Sequence, residues 1–261
     1  MVLVNQAFEE YYQNLYGRRW GSLRASLLAS APAVPYTQGL RKPYYLDRGS
    51  IIAAQTLPLP AGGLILDACA APGGKSLVIL SRMPKDAKLL ANELSRERRR
   101  RLHKTLDAHL DGDTRSQARI TGFDAAALAA KPGERNRFDG ILLDVPCSSE
   151  AHILCNPRRL AQWTAARPRF LAKRQWSLLS AAFLLLKPGG ALVYVTCALS
   201  QEENDGVAAR LERKYGAALM AEEPAFHEGE KTRYGRILLP DAGGGIGPIY
   251  AARFRKRAVL P

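Results

Sequence analysis

The sequence predicts an α/β fold, a mostly parallel sheet with helices on both faces, preceded by a small helical extension. Three observations carry that expectation. Short apolar runs bounded by turn residues recur from Gly62 onward, at Leu64 to Cys69, Lys88 to Asn92, Arg119 to Phe123, Gly140 to Val145 and Ala191 to Cys197. Helical windows alternate with them, at Lys75 to Met83, Ser95 to Leu110, Arg167 to Leu186 and Glu202 to Tyr215. Continuously apolar strands that alternate with helices mark a parallel sheet, because the crossover helices bury both of its faces. The segment before Pro60 is different in kind: rich in Tyr, Arg and Leu, and broken by Pro32, Pro35 and Pro43.

In chain order, residues 1–60 read as the extension. A helix is predicted from Gln6 to Tyr16 and a second from Gly21 to Leu28, followed by an irregular connection through Tyr44-Tyr45. A third helix runs from Asp47 to Thr56, with Asp47 as its N-cap. Residues 61–261 hold the alternating region and then a tail, whose runs Arg236 to Leu239 and Ile249 to Phe254 should form an antiparallel pair at one edge. Internal repeats and low-complexity stretches are absent.

The chain of 261 residues is 47% hydrophobic, enough for a sizeable core, and carries a net charge of +14. That balance says nothing about fold but favours a polyanionic partner: RNA, DNA or an acidic membrane. No run of eighteen apolar residues is present to span a bilayer. Glu9 and Glu10, with no apolar stretch ending in small residues, argue against a secretory signal or an Arg-rich, acid-poor transit peptide. A cytoplasmic location is expected, with a mitochondrial one left open. The four cysteines (Cys69, Cys147, Cys155, Cys197) form no CxxC or Cys/His spacing, so no metal site is predicted. In a reducing compartment they stay thiols.

Cys147 and Cys197 each end a buried strand, where open α/β sheets bind ligands. Thiolates there suggest covalent chemistry with a separate release step, against the plainer reading of two small buried hydrophobes. The first strand runs through Asp67-Ala68-Cys69-Ala70-Ala71-Pro72-Gly73-Gly74-Lys75-Ser76 into a helix. A P-loop would need glycine where Cys69 stands, and a dinucleotide fingerprint needs more than the adjacent Gly73 and Gly74. What remains is a methyltransferase-type cofactor loop. Carboxylates at successive strand ends fit it: Asp67, then Glu93 for a ribose diol, then Asp124 for an adenine amino group. Singly, each such acid reads equally well as a helix cap or a solvated charge.

Together, Asp67 to Lys75, Ala91-Asn92-Glu93 with Arg98, Asp144-Val145-Pro146-Cys147-Ser148 and Thr196-Cys197 resemble the Sun (Fmu/NSUN) family of S-adenosylmethionine-dependent RNA cytosine-5 methyltransferases. The resemblance spans Asp47 to the C-terminus. Gly247-Pro248-Ile249-Tyr250 and Trp20 to Arg24 are most similar to the mitochondrial small-subunit rRNA type. Asn156-Pro157 through Trp163 and Gln201-Glu202-Glu203-Asn204 look closer to the bacterial 16S type. The implied fold is a seven-stranded Rossmann-like methyltransferase sheet, the implied cofactor S-adenosylmethionine and the implied partner rRNA.

By that resemblance Cys197 adds to C6 of cytosine, so that C5 becomes enamine-like and takes the methyl group, and Cys147 assists release of the product. Asp144 would bond N3 or N4 of the base. Lys75 would position the base or favour the Cys197 thiolate, and Cys69 to Lys75, Glu93, Arg98, Asp124 and Asp144 would hold the cofactor. In DNA cytosine methyltransferases the Pro-Cys cysteine is the nucleophile, which would point to Cys147, but the Thr-Cys motif has no role in that scheme. Adenine-N6 enzymes want an aromatic where Cys147 stands. Cys69 and Cys155 read as packing residues, His103 and His109 as surface residues, and His152 as a weak candidate for substrate contact. Arg96 to Arg101, Arg158-Arg159, Arg167 to Arg174 and Arg253 to Arg257 are either solvated faces or, with Tyr44, Tyr45, Trp163 and Trp176, a phosphate track with stacking platforms. The target base must be unpaired or flipped out.

Two departures stand out: Glu93 replaces the family's usual aspartate, and Ser149 replaces the glycine after Pro-Cys-Ser. The short extension suggests that a partner protein or a ribosomal particle completes recognition. Two alternatives stay open, a tRNA cytosine-5 methyltransferase and an RNA-binding ribosome-assembly factor without turnover.

Overall fold

The computed structural model describes residues 5–29, 32–242 and 244–258; the outermost residues of both predicted segments lie outside the described residues. Helices α1 (Gln6–Tyr16) and α2 (Trp20–Leu28) lead to strands β1 (Val34–Tyr36) and β2 (Tyr44–Leu46) and helix α3 (Arg48–Gln55). The alternating region follows as β3 (Leu64–Asp67), α4 (Gly74–Leu80), β4 (Lys88–Asn92), α5 (Arg96–His109), α6 (Gly112–Ser116), β5 (Ala118–Thr121), α7 (Ala125–Leu128) and β6 (Phe138–Asp144). It continues with α8 (Glu150–Leu154), α9 (Pro157–Ala161), α10 (Ala166–Leu185), β7 (Leu186–Thr196) and α11 (Asp205–Tyr215). Four strands close the chain: β8 (Leu219–Glu222), β9 (Glu230–Lys231), β10 (Gly235–Leu238) and β11 (Ile249–Lys256).

The main sheet runs β5-β4-β3-β6-β7-β11-β10-β9, with β8 paired to β11. The pairs from β5 to β7 are parallel, and those of β11 with β7, β10 and β8 are antiparallel. All seven strands expected from the sequence are present. The sheet nevertheless has nine, because the short β8 and β9 pair at the antiparallel end. Neither reads as a buried strand: β8 is four residues, of which all but Leu219 are at least partly exposed, and Glu230 and Lys231 are charged and exposed. A second correction concerns Tyr44-Tyr45. This stretch is not irregular but forms β2, antiparallel to β1, with Tyr45 opposite Pro35. Three-residue strands interrupted by proline give too short an alternation to be read as a ladder.

Period-two alternation divides the core. Leu66, Ile141, Leu143, Leu192, Tyr194, Tyr250 and Phe254 face one side, with α1, α2, α10 and α11. Ile65, Leu89, Ala91, Leu142, Val193, Val195 and Ala251 face the other, with α3, α4 and α5. The N-terminal helices share the first of these cores. Asn5 caps α1 by accepting from the Phe8 amide at 3.1 Å, and its Nδ2 donates to the carbonyls of Leu160 and Trp163 at 2.8 and 3.0 Å. Asp47 is the N-cap of α3, taking the Ser50 amide at 2.7 Å; such caps stabilise by roughly 1 kcal/mol.

The connectivity locates the site. The chain winds β3-β4-β5 outward, then returns to place β6 on the opposite side of β3. That reversal opens a crevice at the carboxyl ends of β3 and β6, where an open α/β sheet receives its ligand.

Candidate active site at the carboxyl edge of the sheet

Asp67 ends β3 and is paired in register with Leu142, which sets Asp144 at the end of β6 just beyond it. Asp144 is in turn opposite Val195, and Cys197 follows the last residue of β7. Register alone therefore gathers Asp67, Asp144 and Cys197 at one edge. Cys147 reaches the same point from the loop after β6: its sulfur lies 2.9 Å from that of Cys197, and it accepts the Cys197 backbone N–H at 3.3 Å. Both thiols are half-buried and free. The sulfur of Cys197, with burial, pushes the Cys147 thiol well above its ordinary value.

Ser149 completes this group. Its hydroxyl lies 3.0 Å from the Cys197 sulfur and 3.6 Å from that of Cys147. Its φ is +55°, the left-handed region that costs an ordinary residue steric strain and suits glycine. Glycine at this point of the family's motif thus has a backbone reason, and this chain places a hydroxyl there instead.

Lys75 projects from the first turn of α4, and its Nζ donates to Asp144 Oδ2 at 2.8 Å. Burial depresses the lysine pKa, but the neighbouring Asp144 outweighs that and leaves it raised. Asp67 is 1% exposed; its Oδ2 accepts the Ser76 hydroxyl at 2.6 Å, while Oδ1 has no hydrogen-bond partner among the described residues. Burial lifts its carboxyl to about 7. The loop between them turns through Gly73, whose φ of +117° precedes the helix and presses a hypothetical Cβ to 3.0 Å from Thr105.

Two clefts flank this loop. One, of about 430 Å³, is lined by Cys69, Glu93, Arg98, Phe123, Asp124 and Arg174. The other, of about 260 Å³, is lined by Tyr44, Tyr45, Asp47, Ala71, Lys75 and Asp144. Ala70, Pro72 and Gly74 also border the second cleft, and Cys69 borders both. The predicted cofactor residues are thus divided: Glu93, Arg98 and Asp124 open on the first cleft, and Lys75 and Asp144 on the second. Glu93 is buried, and although Arg98 approaches its Oε2 to 3.4 Å, that oxygen makes no hydrogen bond among the described residues. The ion-pair distance without hydrogen-bond geometry leaves Oε2 a buried, unmatched acceptor on a residue of the cleft wall. Arg98 also donates to the Ala71 carbonyl at 2.7 Å, bracing the loop. Asp124 caps α7 and meets Arg174 at 2.7 Å, a pairing that holds its carboxyl below the usual range despite partial burial.

Sequence reasoning missed several supports. Asn92 Nδ2 ties the Ala68 and Phe123 carbonyls at 3.1 Å each, locking three strand ends together. Ser76 and Arg174 carried no signal for these roles, because a lone serine or arginine fits any surface, and Ser149 stood out only as a departure from the family's glycine. Among the expected stacking platforms, Trp163 is 3% exposed, packed edge-on to Phe8 at 5.0 Å, because α1 docks over it. Trp176 is half-buried under Arg210, and Tyr44 lies edge-on against His109, so that histidine is half-buried rather than a surface residue. Tyr45 remains open, 64% exposed. Cys69 is half-buried beneath the loop with its thiol pushed up by burial, and Cys155 is exposed.

Comparison with known proteins decides the relationship. A profile for the 16S rRNA methyltransferase RsmB/F family matches residues 54–255. The chain belongs to this family. The 5-cytosine rRNA methyltransferase NSUN4 of Bos taurus is 31% identical over 236 residues, covering 84% of the chain and 61% of that protein. Ribosomal RNA small subunit methyltransferase F of Escherichia coli O139:H28 is 39% identical over 155 residues, covering 59% of the chain and 31% of that protein. The chain thus spans about three fifths of the first relative and a third of the second. Among solved structures, NSun6 from Pyrococcus horikoshii with SFG aligns at a TM-score of 0.71 and 25% identity, over 85% of this chain and 55% of that one. A methyltransferase homolog from the same organism aligns at 0.74 and 21% identity over 97% and 95%, a likeness of fold. The family's members use S-adenosylmethionine, of which SFG is an analogue. Among the described residues no helix is long and apolar enough to cross a membrane.

Proposed function

We propose that this chain is an S-adenosylmethionine-dependent RNA methyltransferase that forms 5-methylcytosine in small-subunit rRNA. The observation that carries the reading is the pair of free thiols, 2.9 Å apart, at the same strand edge as the Lys75–Asp144 pair. Cytosine C5 is a poor nucleophile, and a thiolate adding at C6 activates it; release then needs a second group beside the first. Cys197 is assigned the addition, and Cys147 assists the elimination. Asp144, with Lys75 fixing its orientation, bonds the N3 or N4 edge of the base in the 260 Å³ cleft.

The 430 Å³ cleft suits the cofactor. Glu93 Oε2, a buried acceptor without a partner, has the chemistry to hold a ribose hydroxyl. The free lone pairs of Asp124 suit an adenine amino group, and the peptides from Cys69 to Gly74, braced by Arg98, form the wall. When bound there, S-adenosylmethionine supplies an electrophilic methyl group.

RNA is the partner the charge favours. Arg41, Lys42, Tyr45 and Arg48 stand exposed around the second cleft, and Arg167, Arg169, Phe170 and Lys173 along the first half of α10. Residues 1–60 are assigned as an RNA-binding extension and 61–261 as the catalytic domain.

The test is methyl transfer from labelled S-adenosylmethionine to undermethylated RNA, as free total RNA and as ribosomal particles, resolved by size and digested to nucleosides. Label in 5-methylcytidine from small-subunit rRNA supports the reading. Label in the tRNA band moves the substrate, and no label with either RNA form overturns the activity. Cys197→Ala should abolish transfer with cofactor binding intact, and Cys147→Ala should accumulate a denaturation-resistant protein–RNA adduct. An adduct with Cys197→Ala instead would exchange the two roles.

A further inference from the structure

Two buried carboxyl groups lie behind the cysteine loops, and the reaction above uses neither. Glu150 begins α8, three residues after Cys147, and Glu203 follows Cys197 by six. Both are 0% exposed, and both meet one hydroxyl, that of Ser148, the residue next to Cys147. Ser148 Oγ lies 2.5 Å from Glu150 Oε1 and also bonds Glu203 Oε1. Glu150 further accepts the Tyr12 hydroxyl on Oε1 at 2.5 Å and the Leu199 amide on Oε2 at 3.0 Å. Glu203 accepts the Ser148 amide at 2.9 Å and Gln175 Nε2 at 2.7 Å, both on Oε2. The network therefore ties the loop after β6 (Ser148, Glu150) to the loop after β7 (Leu199, Glu203).

Its proton count is constrained. A serine hydroxyl carries one hydrogen, so Ser148 donates to only one of the two carboxylates it touches. The other contact needs a proton on the carboxyl group itself. Besides Ser148, Glu150 faces the Tyr12 hydroxyl and the Leu199 N–H, both oriented to donate to it. On Glu203, two N–H donors occupy Oε2. Oε1 faces Ser148 Oγ and accepts the Ser200 hydroxyl at 3.2 Å, and Ser200 Oγ in turn accepts the Glu203 amide. A proton on Glu203 Oε1, donated to Ser148, leaves the Ser148 hydrogen for Glu150 and keeps every other contact.

The surroundings agree with this count. Tyr12 and Tyr16 face the pair from α1, Tyr11 on the same helix bonds Glu202, Tyr194 of β7 donates to the Glu203 carbonyl at 2.6 Å, and the Cys147 thiol lies beside Ser148. Among the described residues no lysine, arginine or histidine hydrogen-bonds or ion-pairs with either carboxyl. Two unneutralised charges on one hydroxyl would repel. Burial lifts Glu203 to about 7 and raises Glu150 as well.

We propose that Glu150, Ser148 and Glu203 form a one-proton clamp that positions the two thiols: Glu203 donates to Ser148, Ser148 donates to ionised Glu150, and the cysteine loops are drawn together. Loss of the proton leaves two carboxylates competing for one hydrogen and loosens the loops. Neither glutamate touches substrate; both are positioning residues. The effect on turnover rests on the two-thiol reading, but the clamp itself does not.

The test compares Glu203→Gln, Glu150→Gln, Glu203→Ala and Ser148→Ala in the full chain. Gln at 203 keeps a donor toward Ser148 and a carbonyl toward the two N–H groups, whereas Gln at 150 turns an amide hydrogen toward donors. Infrared difference spectra with labelled glutamate should show one protonated carboxyl titrating near neutral pH, absent in Glu203→Gln. With diamide as oxidant, two thiols become a disulfide and diamide becomes the hydrazine, so the rate reports sulfur proximity. At fixed pH, Glu203→Gln should cross-link at close to the parent rate. Glu203→Ala and Ser148→Ala should be slower by about tenfold, the worth of a lost buried hydrogen bond, and Glu150→Gln should resemble them. Methyl transfer by the parent should decline on the alkaline side of neutrality, and Glu203→Gln should lose that decline. No titrating carboxyl, or equal cross-linking by Glu203→Gln and Glu203→Ala, would overturn the clamp. If the parent transfers no methyl groups while the spectra and cross-linking behave as stated, the proposed activity fails and the clamp stands.

Discussion

Replacing Lys75 by Met tests the electrostatic centre of the site. The ammonium is 15% exposed and its partner Asp144 30%, so the pair lies between the surface and buried regimes. Exposed pairs contribute about 0–1 kcal/mol, and breaking a buried pair costs about 3–5 kcal/mol because a charge is left alone. Discounting for Asp144's solvent contact gives about 2 kcal/mol. Part of that cost is repulsion between Asp144 and Asp67: the Asp144 charge raises the Asp67 carboxyl and the Lys75 charge lowers it. At roughly 2–4 °C per kcal/mol for a chain of this size, the melting temperature should fall by about 4–8 °C. The sign with pH is set by the lysine: its folded pKa is raised above 10.5, so its contribution is complete below that value and lost only as pH rises through the folded pKa. Thermal unfolding of parent and Lys75→Met should thus differ at neutral and mildly alkaline pH, by more once Asp67 ionises above about 7, and converge in strong alkali. A melting temperature unchanged at neutral pH would refute the argument, since the Lys75–Asp144 contact would then contribute nothing.

Arg98→Met should separate binding from stability. The side chain is 46% exposed, so loss of its Glu93 pair, screened by solvent, should shift stability by under about 1 kcal/mol. Loss of its bond to the Ala71 carbonyl should weaken S-adenosylmethionine binding by about tenfold in calorimetry, and an unchanged Kd would remove Arg98 from the cofactor wall. Asp67→Asn should flatten part of the pH dependence of stability. The parent carboxyl titrates near 7 when folded and 3.8 when free, so the fold holds an extra proton between those values and loses stability as pH rises across that window. Identical slopes of melting temperature against pH for parent and variant would contradict that assignment.

The alternation of apolar strands with helices was readable because each core strand is buried on both faces and helices such as α5 and α10 are long enough to show their period, whereas the four-residue α7 between β5 and β6 is not. The same holds for the α3 cap, since Asp47 precedes a helical run and needs only local geometry. The β1–β2 hairpin and strands β8 and β9 were not readable. Their residues are few and mostly at least partly exposed; β1 and β2 pair only with each other, and β8 and β9 pair because the tertiary structure brings β11 and β10 to them. Trp163 fell between these cases: its aromatic character is plain in the sequence, but whether it meets RNA or Phe8 depends on where α1 docks.

For the site, sequence by itself determined the chemical inventory: two cysteines, a lysine and strand-end acids, in motifs whose spacing identifies the family. A motif names residues along one segment, and strand order then decides which segments meet. Only the tertiary structure decided that Cys147 and Cys197, fifty positions apart, bring their sulfurs to 2.9 Å, and that the candidate ligand residues divide between two clefts. It alone placed Ser149 in a glycine conformation between both thiols, and set Glu150 and Glu203 on one hydroxyl behind them. The physical reason is common to all four: contacts and proton count depend on distances across the sheet edge, which strand register sets and local sequence does not encode.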